Sequence, residues 1–253
     1  MRYNSMRISL AFISCLMLAA PLRAETVLSY DVNGSSSWYP YFIPETTKDP
    51  GILAELVPQI FALTPVRLDA KHYPPKRTNQ ALATGGLDFD VVSPSWFEGG
   101  DLGDAFVQSQ PIFAIKEHVV VLAGNQEQWM DINTIRGQEI GTVRGYLYHD
   151  DSEYTRIDFK SERELIIALQ KGRIQAAIAG DLTALYWAKE LEVPIALAAV
   201  HSDGVLVIRM RKEHQALLGQ INDAISQLRS QGVIDALLAK YTSGQSVASR
   251  LSK

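Results

Sequence analysis

The sequence has almost no cysteine and no long apolar run beyond its first residues. The single cysteine, Cys15, lies within the first 24 residues, so the rest of the chain can form neither a disulfide nor a thiol nucleophile. Beyond that point no segment approaches the roughly 20 apolar residues of a membrane-spanning helix. These shortages exclude a disulfide scaffold, a cysteine enzyme and a multi-span membrane protein.

Positive charge is also scarce. The chain carries 24 Lys and Arg against 28 Asp and Glu, a formal charge of −4. Loss of residues 1–24 would remove three arginines and no acid, and would take that charge from −4 to −7. Binding to nucleic acid through its phosphates needs a basic face. We therefore expect no nucleic-acid partner.

Signatures of common catalytic and metal sites are missing as well. There is no Gly-x-Ser-x-Gly elbow of the kind that serves a Ser-His-Asp hydrolase. The five histidines show no His-x-x-x-His or similar ligand spacing. The sharpest cluster, His149-Asp150-Asp151, stands in a polar stretch where solvation is the ordinary outcome. We expect no catalytic residues, no metal and no cofactor.

The first 24 residues have the pattern of an export signal. Arg2 and Arg7 precede an apolar run over residues 8–20, and Ala24 offers a small residue for cleavage. A membrane anchor is a weaker alternative, because it needs a longer run. Lipidation at Cys15 is weaker too, since the apolar run continues past that residue. The prediction is a cleaved signal peptide over 1–24 and a periplasmic protein.

The remaining sequence alternates short strands with amphipathic helices. This alternation predicts an α/β fold with mostly parallel sheets. Strands are predicted near 26–30, 66–68, 89–92, 119–122, 140–143, 175–179, 195–199 and 205–208. Helices are predicted near 51–63, 78–84, 161–170, 182–190 and 213–240, the last interrupted at Gly232.

One stretch of the chain is echoed 87 residues later. Residues 81–93 and 168–180 each contain a helix end, a glycine (Gly85 or Gly172) and a buried strand that finishes in a small residue. Glycine suits such a reversal because the left-handed conformation is cheap without a β-carbon. Either helix-to-strand units simply resemble one another, or the chain contains two similar lobes.

Two similar lobes would bring two strand ends to one ligand. Ser93 with Ser95, and Gly180 with Asp181, follow the equivalent strands of the echo. Ligands of open α/β sheets bind beyond the carboxyl ends of the strands. A solute between facing lobes would therefore touch both segments.

The order of these elements resembles the solute-binding proteins of ABC transporters, specifically the polar amino-acid-binding family (family 3 type). The resemblance runs from Val27 to Tyr241 and includes residues 51–56 on the first helix. Residues 106–111 are similar to the family's Phe-Ser-x-Pro segment, and residues 131–143 to its entry into the second lobe. Each piece is weak alone, and their order carries the resemblance.

The family resemblance implies a two-lobed type II periplasmic-binding-protein fold, each lobe a mostly parallel sheet flanked by helices, with a two-strand hinge. Lobe 1 would be discontinuous, 25–121 plus 205–253, and lobe 2 would be 122–204. Strands near 119–122 and 205–208 would form the hinge, about which the lobes close.

The function implied is that of a monomer that binds a small polar solute, an amino acid or a related metabolite, and delivers it to an ABC permease. Two alternatives stay open, because fold alone does not fix function. One is a periplasmic sensor that docks on a membrane receptor. The other is a dehydratase-like enzyme on the same fold.

The family's carboxylate clamp is missing from this sequence. In the family, a hydroxyl residue and then an arginine follow the lobe-1 strand, and the arginine holds the ligand's α-carboxylate. Ser95 matches the hydroxyl, but Gly100 or a neighbour stands at the arginine position. Arg77, before a helix that would face the cleft, could supply the charge or be solvated.

Other candidates each have a structural alternative. Asp181 matches the acid that pairs with the ligand's α-amino group, or it caps the following helix. Arg144, Gly145 and Tyr146 form a turn that could hold an anion, or Tyr146 merely packs. Trp38 and Tyr39 after the first strand, and Trp96 after the strand at 89–92, could form a ligand wall or pack in the loop. The full candidate set is Trp38, Tyr39, Arg77, Ser93, Ser95, Trp96, Arg144, Gly145, Tyr146 and Asp181.

Overall fold

The computed structural model describes residues 26–32, 38–43 and 48–242. The predicted signal peptide lies outside these residues. The α/β prediction is confirmed: two mixed five-stranded sheets are flanked by helices. Within the described residues, no helix combines the length and apolar character that crossing a membrane requires.

Ten strands and six helices follow one another along the described chain. The strands are β1 (Thr26–Asp31), β2 (Val66–Ala70), β3 (Phe89–Val92), β4 (Phe106–Gln108), β5 (Ala114–Leu122), β6 (Glu139–Val143), β7 (Thr155–Phe159), β8 (Ala176–Gly180), β9 (Ile195–Val205) and β10 (Val207–Arg211). The helices are α1 (Ile52–Ala62), α2 (Pro75–Thr84), α3 (Glu162–Gln170), α4 (Asp181–Glu190), α5 (Leu218–Ser230) and α6 (Val233–Thr242). Short 3₁₀ turns at Pro94–Trp96, Glu98–Gly100, Gln126–Trp129, Ile132–Ile135 and Lys212–Leu217 complete the path.

The first sheet has the order β2-β1-β3-β10-β4. Its first three strands are parallel, and β10 runs antiparallel to both neighbours. Helix α1 seals the sheet because its apolar stripe is fully buried, with Leu53, Leu56 and Ile60 each at 0 % exposure. Helices α5 and α6 pack against α1 and extend the same core.

The second sheet has the order β7-β6-β8-β5-β9 and is built from one continuous segment. Strands β6, β7 and β8 are parallel, while β5 pairs antiparallel with both β8 and β9. By sheet membership the inserted segment is therefore residues 114–205. The lobe limits at 122 and 204 remain a prediction from the sequence.

The two passages between the sheets are bonded to each other. The Ile112 N–H donates to the Leu206 carbonyl at 2.8 Å, and the Leu206 N–H donates to the Phe113 carbonyl at 2.9 Å. All three residues are buried. The first passage thus precedes β5, whereas the sequence placed it near 119–122. The apolar run there belongs to the interior of the second sheet instead.

Two strands escape the sequence pattern, and both lie at sheet edges. β4 has only three residues, and β7 carries Arg156 and Asp158 among its five. Edge strands need bury only part of their surface, so they lack the continuous apolar run that marks a central strand.

The echo in the sequence corresponds to equivalent turns. Gly85 has φ +79° after α2, and Gly172 has φ +63° after α3. Each turn leads into a buried central strand, β3 or β8. The left-handed geometry explains why glycine stands at both positions.

Gly51, just before α1, gives a direct test of how this region is held. Its φ is +108°, and a β-carbon there would lie 2.5 Å from the Tyr41 carbonyl oxygen. Gly51→Ala is expected to lower the free energy of unfolding by about 2 kcal/mol, because it combines backbone strain with a clash against main chain. Urea denaturation followed by circular dichroism measures the change.

The matched control is Gly219→Ala on α5, where no atom lies within 4 Å of the added carbon. Alanine favours a helix over glycine, so this change should leave stability equal or slightly higher. Equal stabilities for both variants would contradict the assigned role of Gly51.

Candidate functional site

A cavity lies where the carboxyl ends of strands from both sheets meet. The side of the first sheet contributes the carboxyl end of β3 and the start of α2. The side of the second sheet contributes the carboxyl ends of β6 and β8. This is where open α/β sheets bind ligands. The lining is formed by Trp38, Pro75, Thr78, Asn79, Asp90, Val91, Val92, Trp96, Ile115, Glu117, Val143, Gly145, Tyr146, Leu147, Tyr148, Glu162, Ile178, Ala179 and Gly180.

The cavity is small. The volume open to the centre of a water molecule is about 90 Å³. A single water occupies roughly 10–15 Å³ on this measure, so the space holds a handful of water-sized groups. This size suits a metabolite no larger than an amino acid.

Asp90 is the first of three carboxylates that line the cavity. It stands in β3, and Arg209 in the neighbouring β10 binds it through two hydrogen bonds, from Nε at 2.9 Å and from an Nη at 2.6 Å. Both side chains are buried, and the guanidinium carbon of Arg209 lies 5.0 Å from the ring centres of both Phe97 and Phe106. Both carboxylate oxygens of Asp90 are therefore bonded to the guanidinium, and each buried charge has the partner that it needs.

Glu117 is the second carboxylate, and its partners are residues outside the lining. The Ser202 hydroxyl donates to Glu117 Oε2 at 2.8 Å, and His201 Nδ1 lies 3.4 Å from the same oxygen. The other ring nitrogen of His201 lies 2.8 Å from Asp150 Oδ1. The imidazole therefore lies between two acidic groups.

The charge on His201 follows from this geometry. Burial alone would lower the pKa of the imidazole, but hydrogen bonds and charge from Asp150 and Glu117 outweigh it and raise the pKa to about 9. His149 also lies nearby. One ring nitrogen of each histidine and one carboxylate oxygen of Asp150 lie within 4.8 Å of one another, a spacing that could hold a metal ion. That spacing was not evident from the sequence, because the two histidines are 52 positions apart. The hydrogen bond between His201 and Asp150 accounts for the pairing of those two side chains.

Glu162, the third carboxylate, has no cationic partner among the described residues. It begins α3 and is 2 % exposed. The Tyr146 hydroxyl donates to Oε1 at 2.9 Å, whereas Oε2 is buried without a hydrogen-bond partner. Burial raises the pKa of this carboxyl to about 7. Its second oxygen is therefore an unmet, buried acceptor in a residue that lines the cavity.

Contacts across the cleft hold the two sides of the cavity together. The Thr183 hydroxyl on α4 donates to the Tyr39 carbonyl at 2.5 Å, and the Tyr39 ring stacks on Tyr186 with centroids 3.3 Å apart. Asn79 Nδ2 on α2 donates to the Gly145 carbonyl at 3.3 Å. The two sheets are therefore in a closed arrangement.

Four of the ten residues predicted from the sequence line the cavity. They are Trp38, Trp96, Gly145 and Tyr146. The two tryptophans meet edge to face with ring centroids 5.8 Å apart. Gly145 has φ +84°, and a β-carbon there would lie 2.8 Å from the backbone nitrogen of Lys76. The glycine therefore permits the close approach of the two lobes.

Three of the other predicted residues lie beside the cavity and are engaged elsewhere. Tyr39 stacks on Tyr186 at the cleft edge. The hydroxyls of Ser93 and Ser95 are 2.8 Å apart and hydrogen-bonded to each other. They pack so closely on β9 that a β-carbon on Gly204 would meet both. None of the three is part of the lining.

The three predicted charged residues also lie outside the lining. Arg77 is exposed, with its guanidinium 4.6 Å from the Tyr73 ring centre. Arg144 is exposed as well. Asp181 is buried at the start of α4, where it accepts a hydrogen bond from the Leu182 N–H at 2.7 Å and burial raises its pKa. Asp181 is the first residue of α4, and the N-cap position belongs to Gly180 without a side-chain capping bond, so the capping alternative is not met in the form predicted.

Sequence reasoning missed all three carboxylates of the lining. A signal existed for Asp90, because an acid inside the apolar strand Phe89–Val92 and an arginine inside Val207–Arg211 are both out of place in buried strands. No comparable signal marks Glu117 or Glu162. Each is an ordinary surface-type residue in its local sequence.

Comparison with known proteins gives a family and a fold. The profile of the bacterial extracellular solute-binding proteins, family 3, matches residues 31–244. No curated protein sequence matches the chain. Because the profile spans most of the chain, it identifies the family without help from the solved structures.

Solved structures with the same architecture share little sequence identity with this chain. A mutant of ArgBP from T. maritima has 17 % identity and a TM-score of 0.68, over 86 % of this chain and 95 % of that one. AbpA from Streptococcus pneumoniae bound to L-arginine has 17 % identity and a TM-score of 0.66, over 85 % and 94 %. The GluR0 ligand-binding core from Nostoc punctiforme with L-glutamate has 16 % identity and a TM-score of 0.68, over 85 % and 98 %. These confirm the predicted two-lobed type II fold.

The paired state of His201 predicts a pH-dependent contribution to stability. Its pKa rises from 6.5 to about 9 on folding. The imidazolium pair therefore stabilises the fold fully below about pH 6.5 and loses this effect as the pH rises through 9. His201→Gln should lower the melting temperature at pH 6, and the difference from the parent protein should shrink by pH 10.

Differential scanning calorimetry across pH 6 to 10 measures this difference. The control is His72→Gln, which changes an exposed histidine in the same protein. A melting-temperature difference for His201→Gln that stays constant with pH would show that the ring does not act as a charged partner.

Proposed function

Because the chain belongs to the bacterial extracellular solute-binding proteins, family 3, we propose that it binds one small polar solute between its two lobes and delivers it to an ABC permease. The observation that carries the proposal is the cavity, which both sheets line at the carboxyl ends of their strands. The family is one of binding proteins and not of enzymes, in agreement with the prediction from sequence.

The site residues of this proposal come from both lobes. Trp38 and Trp96 form an aromatic wall on one side, and Gly145 with Tyr146 closes the other. Asn79, Glu117 and Glu162 add the polar groups that orient a solute. The six predicted residues outside the lining remain binding candidates from the sequence alone.

Binding is coupled to closure in this proposal. The passages between the sheets at residues 112–113 and 206 are the points about which the lobes would turn. Contacts such as Tyr39 on Tyr186 exist only when the lobes meet, so the solute and these contacts stabilise the same closed state. A permease or a receptor can then distinguish closed from open protein.

A sensory role would use the same cavity and the same closure. The discriminating observation is the genetic neighbourhood. A permease and an ATPase gene beside this one favour uptake, and a kinase or cyclase gene favours signalling to a membrane receptor.

A thermal-shift screen of amino acids, amines, organic acids and small peptides tests whether the protein binds a solute. One chemical class is expected to raise the melting temperature. Ligand at 100 times its Kd should stabilise the protein by about 2.7 kcal/mol. The proposal is wrong if no solute of any class shifts the transition, or if incubation with metabolite pools shows turnover instead.

Tyr39→Ala tests the link between binding and closure. The stack on Tyr186 is lost only from the closed state, and aromatic pairs contribute about 0.5–1.5 kcal/mol beyond their buried area. The variant should bind the solute found in the screen about 2- to 13-fold more weakly, which is that energy range expressed as a ratio of Kd values. Isothermal titration calorimetry measures the change.

The control for Tyr39 is Tyr73→Ala, which removes a ring that contacts Arg77 on the lobe-1 side and does not line the cavity. Its affinity should equal that of the parent protein. Equal affinities for the Tyr39 and Tyr73 variants would show that the Tyr39–Tyr186 stack does not contribute to solute binding.

A further inference from the structure

The charges around the cavity indicate the chemistry of the solute. We propose that the cavity selects a small organic cation that carries no carboxylate, and that Glu162 accepts hydrogen bonds from its ammonium or guanidinium group. This inference rests on the proposed function and specifies which class of solute the same cavity takes.

Among the described residues, acidic side chains line the cavity and basic ones do not. The described lining includes Asp90, Glu117 and Glu162 and contains no Lys, Arg or His side chain. Asp90 is matched by Arg209, and Glu117 by His201 and Ser202, all from outside the lining. Only Glu162 lacks a positive counterpart among the described residues.

Glu162 has the geometry of a ligand-binding group. At 2 % exposure it is buried among the lining residues, Tyr146 occupies one of its oxygens, and the other oxygen has no partner. A buried acceptor without a hydrogen-bond partner costs about 1–3 kcal/mol of stability, and more when it is charged. A cationic donor removes that cost and forms a charge-assisted hydrogen bond.

The protonation of Glu162 is consistent with this role. Burial raises the pKa of the carboxyl to about 7, so the charge is poorly stabilised by the protein alone. A bound cation would supply the missing stabilisation, because a nearby opposite charge favours the ionised form.

A solute carboxylate would find no counter-ion among the described residues of the same cavity. The guanidinium of Arg209 is held by both oxygens of Asp90 and flanked by two phenylalanine rings. Arg77 and Arg144 are exposed and lie outside the lining. A solute carboxylate would therefore be buried beside the three carboxylates of the lining, which is unfavourable for like charges.

The remaining lining groups suit an organic cation. Trp38, Trp96, Tyr146 and Tyr148 present aromatic rings, and ring faces attract cations. The indole N–H of Trp96 is buried without an acceptor. This uncharged N–H can donate a hydrogen bond to a hydroxyl or carbonyl oxygen of the solute. It cannot neutralise a solute carboxylate as a cationic side chain would.

Pairs of compounds that differ only in a carboxylate test the inference. Agmatine against L-arginine, putrescine against L-ornithine and cadaverine against L-lysine would each be titrated into the purified protein by isothermal titration calorimetry. In at least one pair the amine is expected to bind ten-fold or more tightly than its amino acid. Glu162→Gln should weaken binding of that amine by ten-fold or more.

The control variant is Glu139→Gln, which changes an exposed glutamate on the same lobe and should leave affinity for the amine unchanged. Comparison of the amines with the amino acids uses the unmodified protein, so the test stands even where Glu162→Gln fails to fold. Circular dichroism identifies that case.

Three results would overturn the inference. One is that no amine binds ten-fold more tightly than its amino acid although some of the six compounds bind, and another is a neutral or anionic solute that binds while all six compounds fail. Both leave the proposed function intact. Full affinity of a folded Glu162→Gln protein for the amine is the third. Failure of every solute in the wider screen would remove the proposed function itself.

Discussion

Burial of negative charge is the constraint on which the centre of this molecule depends. Three carboxylates lie where the two sheets meet, and an isolated charge there would be expensive. Asp90 is matched across two strands by Arg209, which also ties β3 to β10. Glu117 is matched by His201 across β5 and β9. In each lobe, the pair that neutralises the buried carboxylate also joins two neighbouring strands.

Glu162 departs from that arrangement, and the departure is local. Its neighbour Ser161 caps α3, and the helix start can stabilise a negative charge only partly. Tyr146 supplies one neutral hydrogen bond. The other two carboxylates show that this fold can match a buried acid with a cationic partner in the lining of the same cavity. An acid left incomplete in the cavity wall is therefore better explained by a partner from solution than by a requirement of folding.

The sequence predicts the scaffold well and the polar site poorly, for a physical reason. Strands β3 and β8 and helices α1 and α3 follow from local periodicity and from the glycines that end the helices. The aromatic wall and the Gly145 turn follow from their places after strands. Glu117 and Glu162 become cavity residues only through packing of segments 45 positions apart, which no local pattern encodes. Arg77 was predicted from its position before a helix expected to face the cleft, and Asp181 from the family resemblance. Their side chains contact Tyr73 and the α4 backbone instead.

The segment after β3 shows why the resemblance stops short of the ligand. The resemblance puts Gly100 or a neighbour at the family's arginine position, and Gly99 and Gly100 have φ of +61° and +74°. Both are exposed, and no atom lies within 3.8 Å of a β-carbon built on either. Steric room for a side chain exists, so the obstacle is the left-handed backbone, which an arginine would adopt only with strain. The loop is thus shaped for glycine rather than merely missing a cation. An arginine at Gly99 or Gly100 would carry backbone strain, and the sign of the charge that the cavity accepts is set by its carboxylates.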